Sequence, residues 1–299
     1  MSDETNLGEL NKYVPNCVFD LIPIKNLVSN QKYQRNLSTV HVKRAAENFD
    51  LHQVNPVKVS RRNGINYVVN GQHTIEIVAR VSGSQETPVW CQVFDDLEYE
   101  EEADIFANQL KYTKALSPYE IFMANIQAGN DQQLIINDLV QSYGLSLCPT
   151  KRAGCICAIS TLETIYSKYG FAVLDRTLRL ICATWEGDIN SFSSNMLSGV
   201  ARLIVVYEDH LNDEIFKDKV GAASVREIMR TSKERRAGSL GFAETMLILY
   251  NKKTKFGLSW ASLYSHKGRK IDDFDGDYFA SLVDEDNEDY DDDSQFSLL

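Results

Sequence analysis

A short polar segment separates a run of β-type residues from a run with helical spacing in the first third of the chain. Its members are Gly71, Gln72, His73 and Thr74. The first backbone N–H groups of a helix have no partner within the helix and carry the positive end of its dipole, so they suit an anion such as phosphate. A second interpretation is a strand-to-helix turn in which Gly71 supplies conformational freedom and Thr74 caps the helix. The sequence leaves both open.

One side chain of this segment and two from an earlier loop could take part in chemistry. His73 is the candidate catalytic acid–base group, because the unperturbed pKa of histidine, about 6.5, lies near neutral pH. Gln34 and Arg35 belong to an earlier polar loop and could face the same pocket, where the forked guanidinium would grip a phosphate. The alternative for Arg35 is a solvated loop residue. These residues complete the predicted phosphate site.

The cysteines are predicted to be packing residues rather than metal ligands. Cys148, Cys155 and Cys157 have the spacing C-x6-C-x-C without a nearby histidine, whereas structural zinc sites use closely paired cysteines. The six cysteines mostly lie in apolar stretches, so we expect reduced core thiols in a cytosolic protein. No H-E-x-x-H, P-loop or G-x-S-x-G motif occurs, which removes the commonest metalloprotease, nucleotide-hydrolase and esterase signatures.

Basic residues in the second half of the chain predict contacts with nucleic acid. Lys151 and Arg152 lie in a stretch, residues 131–166, that could form a helix-turn-helix; the alternative is an ordinary pair of core helices. The other candidates are grouped further along the chain. They are Arg226, Arg230, Lys233, Arg235, Arg236, Lys252, Lys253, Lys255, His266, Lys267, Arg269 and Lys270. Runs of basic residues are often solvated faces. Three such runs in a part of the chain that is nearly neutral overall favour binding of a polyanion.

The elements that must position these residues change type along the chain. Residues 18–110 alternate strand and helix signals, with Asn63-Gly64 as a hairpin turn and Ser38 or Thr39 as a helix cap. From about residue 117 to residue 258 the strand signals fade and helical periodicity dominates. The sequence therefore predicts an α+β section followed by a mostly α-helical section.

The formal net charge of −11 is unevenly distributed over the 299 residues. Residues 272–299 hold twelve acidic residues and no basic one, so the rest of the chain carries a formal charge of +1. This composition predicts a disordered acidic tail. A polyanion tethered to a basic surface has a high effective concentration there, so the tail is expected either to compete for that surface or only to aid solubility. No apolar run is long enough for a membrane span, and the polar start of the chain is unlike a signal peptide.

Several stretches of residues 18–110 occur in the order found in one family. They are "YQRNLS", "AENFD", "PVKVSRRNGINYVV", "NGQHT" and "LEYEEEADIFANQ". This order resembles the N-terminal domain of ParB-like proteins, whose fold is shared with sulfiredoxin, and in particular the ParB-domain proteins of bacteriophages and mobile elements. The stretch "SKYGFAVLDRTLRLICATWEGD" is similar to the second half of those proteins. The resemblance implies an extension at 1–17, a ParB/sulfiredoxin-like domain at 18–112, a helical domain at 113–271 and the acidic tail at 272–299.

The resemblance implies phosphate chemistry at the polar loop. ParB proteins bind CTP there, sulfiredoxin reduces a cysteine sulfinic acid with ATP, and related proteins phosphorylate free serine. Sulfiredoxin requires a cysteine directly after the loop glycine, where this chain has Gln72, so no thiolate can attack. The family also tends to place an arginine after the histidine, and Thr74 adds no charge there. A nucleoside triphosphate with magnesium is the cofactor implied for this site.

Three hypotheses about function follow. The first is a ParB-like nucleic-acid-binding protein of a phage or mobile element that acts on DNA in the cytoplasm of a bacterial host, with a homo-oligomer as a further expectation. The second is a nuclease or phosphotransferase that uses the same pocket, with His73 as acid–base group. The third is a protein-binding module whose acidic tail imitates nucleic acid and engages a host factor or a defence protein.

Overall fold

The computed structural model describes residues 11–29, 32–95, 97–254 and 257–265. The chain divides into two compact units, Met1–Ala115 and Leu116–Leu299. The predicted acidic tail lies outside the described residues, as do residues 1–10, Lys255 and the basic cluster from His266 to Lys270.

The first unit contains a mixed five-stranded sheet. Its strands are β1 (Val18–Pro23), β2 (Leu27–Ser29), β3 (Val57–Arg62), β4 (Ile65–Asn70) and β5 (Pro88–Asp95). The spatial order is β1-β5-β3-β4-β2. The β1–β5 and β3–β4 pairs are antiparallel, and the β3–β5 and β2–β4 pairs are parallel. The predicted hairpin is confirmed: Asn63 (φ 53°) and Gly64 (φ 76°) join β3 to β4 with two positive φ values, as a type I′ turn requires.

Three α-helices accompany the sheet in the described part of this unit. They are α1 (Thr39–Glu47), α2 (Gln72–Ser82) and α3 (Tyr99–Ala107). The predicted cap of α1 is Ser38, whose side chain accepts a hydrogen bond from the His41 N–H. The core of this unit lies between one face of the sheet and α2, where Ile75 packs with Val57, Val59 and Val68 within one cluster. Val57 and Val59 of β3 are therefore buried, and Val57 lies next to Gly71, where α2 begins.

The second unit is built mainly from helices. They are α4 (Pro118–Gln127), α5 (Asp131–Ser142), α6 (Ile159–Tyr169), α7 (Phe171–Trp185), α8 (Ser194–Tyr207), α9 (Asp213–Val220), α10 (Val225–Arg235), α11 (Gly238–Asn251) and α12 (Trp260–Ser265). One apolar core runs through them. Helices α8 and α11 approach closely at Gly199, where a Cβ would lie 3.0 Å from atoms of Phe242 and Met246. The prediction of an α+β section followed by a mostly helical one is confirmed.

The segment between α5 and α6 departs from two sequence predictions. It holds two short parallel strands, β6 (Ser146–Leu147) and β7 (Cys155–Ile156), and Cys148 forms a disulfide with Cys155. A helix-turn-helix joins its helices by a turn of about 3–4 residues, so that hypothesis is wrong for this connection. The prediction of reduced core thiols is also wrong for Cys148 and Cys155, and Cys157 is exposed. The pairing of β6 with β7 brings these two cysteines together, which spacing along the chain does not reveal.

Within the described ranges, no helix combines the length and apolar character that crossing a lipid bilayer requires.

Candidate functional site

The start of α2 is shaped by Gly71. This residue is the N-cap and has φ 110°, in the region that residues with a side chain rarely adopt. A Cβ at this position would lie 3.1 Å from Cγ1 and 3.2 Å from Cα of Val57, so the turn also needs a residue without a side chain. No side chain caps α2. The first N–H groups of the helix are therefore not satisfied by an N-cap side chain and can bind an external anion.

A polar cleft of about 280 Å³ lies beside this helix start. Its lining residues are Ser29, Gln34, Arg35, Asn36, Leu37, Gln72 and Glu76. Arg35 is exposed and forms no ion pair or hydrogen bond with a residue that the structure describes. Glu76, one helical turn after Gln72, supplies the one carboxylate of the lining. The cleft thus presents one unpaired cation, one carboxylate and several amide groups to a ligand.

The loop that carries Arg35 is held in place by contacts that Tyr33 and Gln34 make with β4 and α3. Gln34 donates a hydrogen bond from Nε2 to the Val68 carbonyl of β4. The Tyr33 ring lies 5.6 Å from the ring centres of both Tyr99 and Phe106 of α3, and its hydroxyl lies 3.4 Å from the Glu102 carboxylate. The backbone at Arg35 is therefore positioned although its side chain reaches solvent.

Glu102 is fully buried under this loop and is neutralised by a neighbouring arginine. Arg62 Nε lies 3.1 Å from Glu102 Oε1, and the Arg62 guanidinium lies over the Tyr67 ring at 4.8 Å. Burial, followed by the Glu102 charge, raises the pKa of Tyr33 to about 12, and the hydrogen bond to Glu102 raises the pKa of Arg62. Tyr33 therefore stays protonated and donates to Glu102.

His73 links the starts of two helices. Its Nε2 accepts a hydrogen bond from the Ser38 backbone N–H at 3.1 Å, and its ring centre lies 5.4 Å from that of His41. Burial, then the nearby charges of Arg35 and His41, lowers the pKa of His73. An accepting Nε2 assigns the neutral tautomer with its proton on Nδ1. His73 is thus a neutral acceptor that connects α1 to α2.

The predicted phosphate-site residues divide into two groups in the structure. Gln34, Arg35 and Gln72 line the cleft, whereas Gly71, His73 and Thr74 belong to the α2 start but are not part of the cleft lining. Sequence reasoning missed Ser29, Asn36, Leu37 and Glu76. A signal was present for Glu76, because residues four apart share one face of a helix.

Three of the basic candidates form one exposed stripe on α10. Arg226, Arg230 and Lys233 are spaced by four and then three residues, so they share a helix face, and all three are exposed. None forms an ion pair with a residue in the described ranges. The opposite face of α10 buries Val225 and Ile228 in the core. We call Arg226, Arg230 and Lys233 the α10 stripe.

The two arginines that follow the stripe pair with a buried carboxylate instead. Arg235 Nε lies 3.7 Å from Glu244 Oε2, and Arg236 Nε lies 3.3 Å from Glu244 Oε1. The Tyr264 hydroxyl also donates to Glu244 Oε1 at 2.7 Å. Because Glu244 is buried, these arginines serve to neutralise its carboxylate inside the protein. The structure therefore separates Arg235 and Arg236 from the stripe, although the sequence groups them together.

Lys151 and Arg152 lie in the connection between β6 and β7. Lys151 Nζ donates to the Asn190 side chain, and Arg152 Nε donates to Cys155 Sγ at 2.9 Å. Both side chains thus have partners within the second unit, and neither lies on a helix that could act as a recognition helix.

A groove of about 710 Å³ is lined by Lys252 and Lys253, the remaining basic candidates within the described residues. Its charged lining residues are Lys219, Arg230, Lys252, Lys253, Asp218 and Glu227. Its other lining residues are Ala222, Ala223, Ile228, Thr231, Thr245, Ile248 and Leu249. We call this the basic groove. It shares Arg230 with the α10 stripe.

The comparisons with known proteins identify a family, and several solved structures are similar to this chain. No curated protein matches the sequence. The structure is similar to that of the C-terminally truncated chromosome-partitioning protein ParB from Caulobacter crescentus complexed with CTP-gamma-S. The similarity has 13% sequence identity and a TM-score of 0.33, and it covers 77% of this chain and 98% of that chain. Residues 28–257 match a family described as "Family of unknown function (DUF6551)", and this chain therefore belongs to that family.

Proposed function

We propose that this protein binds nucleic acid through its helical unit and holds a phosphate-bearing ligand, a nucleoside triphosphate with magnesium, in the cleft of its first unit. The observation that carries the proposal is that Arg35, which has no ion-pair partner among the described residues, lies beside the uncapped helix start at Gly71. Both features favour an anion. The stretches that resemble ParB-like proteins support the same ligand class.

The charge balance of the cleft supports a role for magnesium. Arg35 and Glu76 cancel one another, and a carboxylate close to phosphate oxygens repels them. Magnesium commonly binds to one or two carboxylates together with substrate phosphates. Glu76 would hold the ion and Arg35 the phosphate, so the ligand would be the metal–nucleotide complex rather than the free nucleotide.

The helical unit contributes the α10 stripe. Three cations on one exposed helix face, free of carboxylate partners among the described residues, suit the regular phosphates of a nucleic-acid backbone. Such contacts carry no base specificity, so the proposal is binding with a strong salt dependence. Action on DNA, a phage or mobile-element origin and a bacterial cytoplasmic location belong to the same proposal.

The position of His73 supports binding in preference to catalysis. A general base needs a free ring nitrogen, and Nε2 of His73 already accepts the Ser38 N–H while Nδ1 carries the proton. The nuclease or phosphotransferase alternative would require that hydrogen bond to break. The protein-binding alternative rests on the acidic tail.

The nucleotide part is tested by titrating the four nucleoside triphosphates calorimetrically, with magnesium and with a chelator. Arg35→Ala should weaken binding by roughly tenfold or more, because a charge-assisted hydrogen bond contributes about 1.5–3 kcal/mol. Arg80→Ala is the matched control, since Arg80 is an exposed arginine at the other end of α2. No binding of any triphosphate by the wild type would overturn this part.

The nucleic-acid part is tested by fluorescence anisotropy with single- and double-stranded DNA over a salt series. Arg226→Ala combined with Lys233→Ala should lower the slope of log affinity against log salt by about one for each phosphate that the variant no longer binds. Lys168→Ala, an exposed lysine on α6, should leave the slope unchanged. Equal slopes for all three proteins would contradict a role for the stripe.

A further inference from the structure

Four basic side chains and two carboxylates line the basic groove, so its described lining has more positive than negative charge. Of its two acidic lining residues, Glu227 is turned towards the start of α10, where its Oε2 accepts from the Ser224 N–H and hydroxyl at 2.9 Å each. Lys219 donates to the Lys252 carbonyl at 2.9 Å and to the Thr254 hydroxyl. Arg230, Lys252 and Lys253 remain without an ion-pair partner in the described ranges. The groove therefore carries excess positive charge along one side.

The lining between these cations is largely apolar. Ile248, which is 37% exposed on α11, lies in the lining with Leu249, Ala222 and Ala223. A bare phosphate backbone makes no use of such a surface. A peptide that combines acidic and apolar side chains would bury both kinds of group in one groove.

We propose that the basic groove binds the acidic segment 284–299 of this same chain. This segment holds eight acidic residues and no basic one, followed by Phe296, Leu298 and Leu299. The carboxylates would pair with Arg230, Lys252 and Lys253, and the apolar residues would cover Ile248 and Leu249. Charge complementarity and the mixed lining select this occupant over nucleic acid.

The segment has enough chain to reach the groove. The described residues end at Ser265 of α12, and residues 266–283 can span roughly 60 Å when extended. A tethered segment competes at an effective concentration on the order of millimolar, so modest intrinsic affinity suffices for occupancy. Because the α10 stripe and the groove share Arg230, a bound segment would also cover part of the proposed nucleic-acid surface.

The experiment measures peptide binding without nucleic acid, so its outcome is separate from that of the proposed function. The receptor is the full-length chain in which the eight acids of residues 284–299 are replaced by the corresponding amides. A fluorescent peptide with the native sequence of residues 284–299 is titrated into it, and anisotropy reports binding. We expect saturable binding that weakens with rising salt, because ion pairs of partly exposed groups are screened.

Charge reversal locates the site. Lys252→Glu with Lys253→Glu should weaken peptide binding by roughly tenfold or more, since two charge-assisted interactions become repulsive. Lys168→Glu with Lys217→Glu changes the net charge equally at two exposed positions outside the groove and should change the affinity far less. A peptide in which Phe296, Leu298 and Leu299 are replaced by serine should also bind more weakly.

Three outcomes would overturn the proposal. The first is absence of peptide binding at low salt. The second is an equal loss of affinity in the groove variant and the control variant, which would show diffuse attraction to the whole surface. The third is hydrogen exchange in the native full-length chain that shows no protection of residues 245–254 relative to the amide-substituted chain, while added DNA protects them. That result would assign the groove to nucleic acid.

Discussion

Replacing Gly71 with alanine should destabilise the first unit more than a glycine-to-alanine substitution at another described turn of that unit. The backbone at this position has φ 110°, and a left-handed conformation costs a residue with a Cβ about 1–2 kcal/mol. The added Cβ would also meet three Val57 atoms at 3.1–3.2 Å, one of them the backbone Cα. Overpacking of this kind costs about 1–3 kcal/mol. The expected loss is therefore about 2–5 kcal/mol.

The measurement is native-state hydrogen exchange of peptides from β3 and α2, because it reports the opening free energy of this unit separately from the helical unit. Gly83→Ala is the matched control. Gly83 ends the same helix with φ 70°, and nothing lies within 4 Å of an added Cβ. This control should lose only the conformational part, about 1–2 kcal/mol.

Combining Gly71→Ala with Val57→Ala tests the contribution of packing to this loss. Val57→Ala removes Cγ1 and Cγ2, two of the three atoms nearest to the added Cβ, and leaves the third, the Cα of residue 57, so the additional cost of Gly71→Ala should shrink. The two substitutions should thus couple, as expected for neighbouring residues that pack together. Equal losses for Gly71→Ala and Gly83→Ala, or strict additivity with Val57→Ala, would refute the close approach of β3 to the α2 start.

Further predictions concern the titration of His73, the disulfide, and the different roles of Arg236 and Lys233. The pKa of His73 is lowered in the folded chain, so the unfolded chain takes up the proton first, and the stability that His73 contributes should fall as pH drops below about 6.5. His73→Gln should flatten this part of the profile of thermal midpoint against pH; an unchanged profile would contradict the assignment. Cys148→Ser with Cys155→Ser should lower the free energy of unfolding by about 2–3 kcal/mol for so short a loop, whereas Cys157→Ser should not, as urea denaturation would reveal. Arg236→Ala should lower the thermal midpoint without weakening DNA binding, because Arg236 neutralises buried Glu244. Lys233→Ala should weaken DNA binding and leave the thermal midpoint unchanged.

Local signals account for much of the fold. The Asn63-Gly64 turn, the Ser38 cap and the change from strand to helix periodicity are decided by residues close together in the chain, and the structure contains all three. The polar segment at Gly71 is likewise recognisable as a helix start from its neighbours in sequence. These features depend on backbone preferences and on hydrogen bonds within a few residues, which is why the sequence reveals them.

Other properties depend on residues that are far apart in sequence and meet only in the fold. The anchoring of the Arg35 loop needs Tyr33, Arg62 and Glu102 to meet, and their separations carry no periodic signal. The pairing of Cys148 with Cys155 likewise follows from the alignment of β6 with β7.

The class of each section, the turn and cap residues and the uneven charge of the chain can be read from the sequence, because each follows from local preference or composition. Which charged side chains are available to a ligand depends on the tertiary structure. It turned Arg235 and Arg236 towards a buried carboxylate and left Arg226, Arg230 and Lys233 facing solvent. It also made His73 an acceptor for a helix start rather than a free base. The physical reason is that a charged or polar side chain acquires its role from the partner it meets on burial, and distant parts of the chain supply that partner.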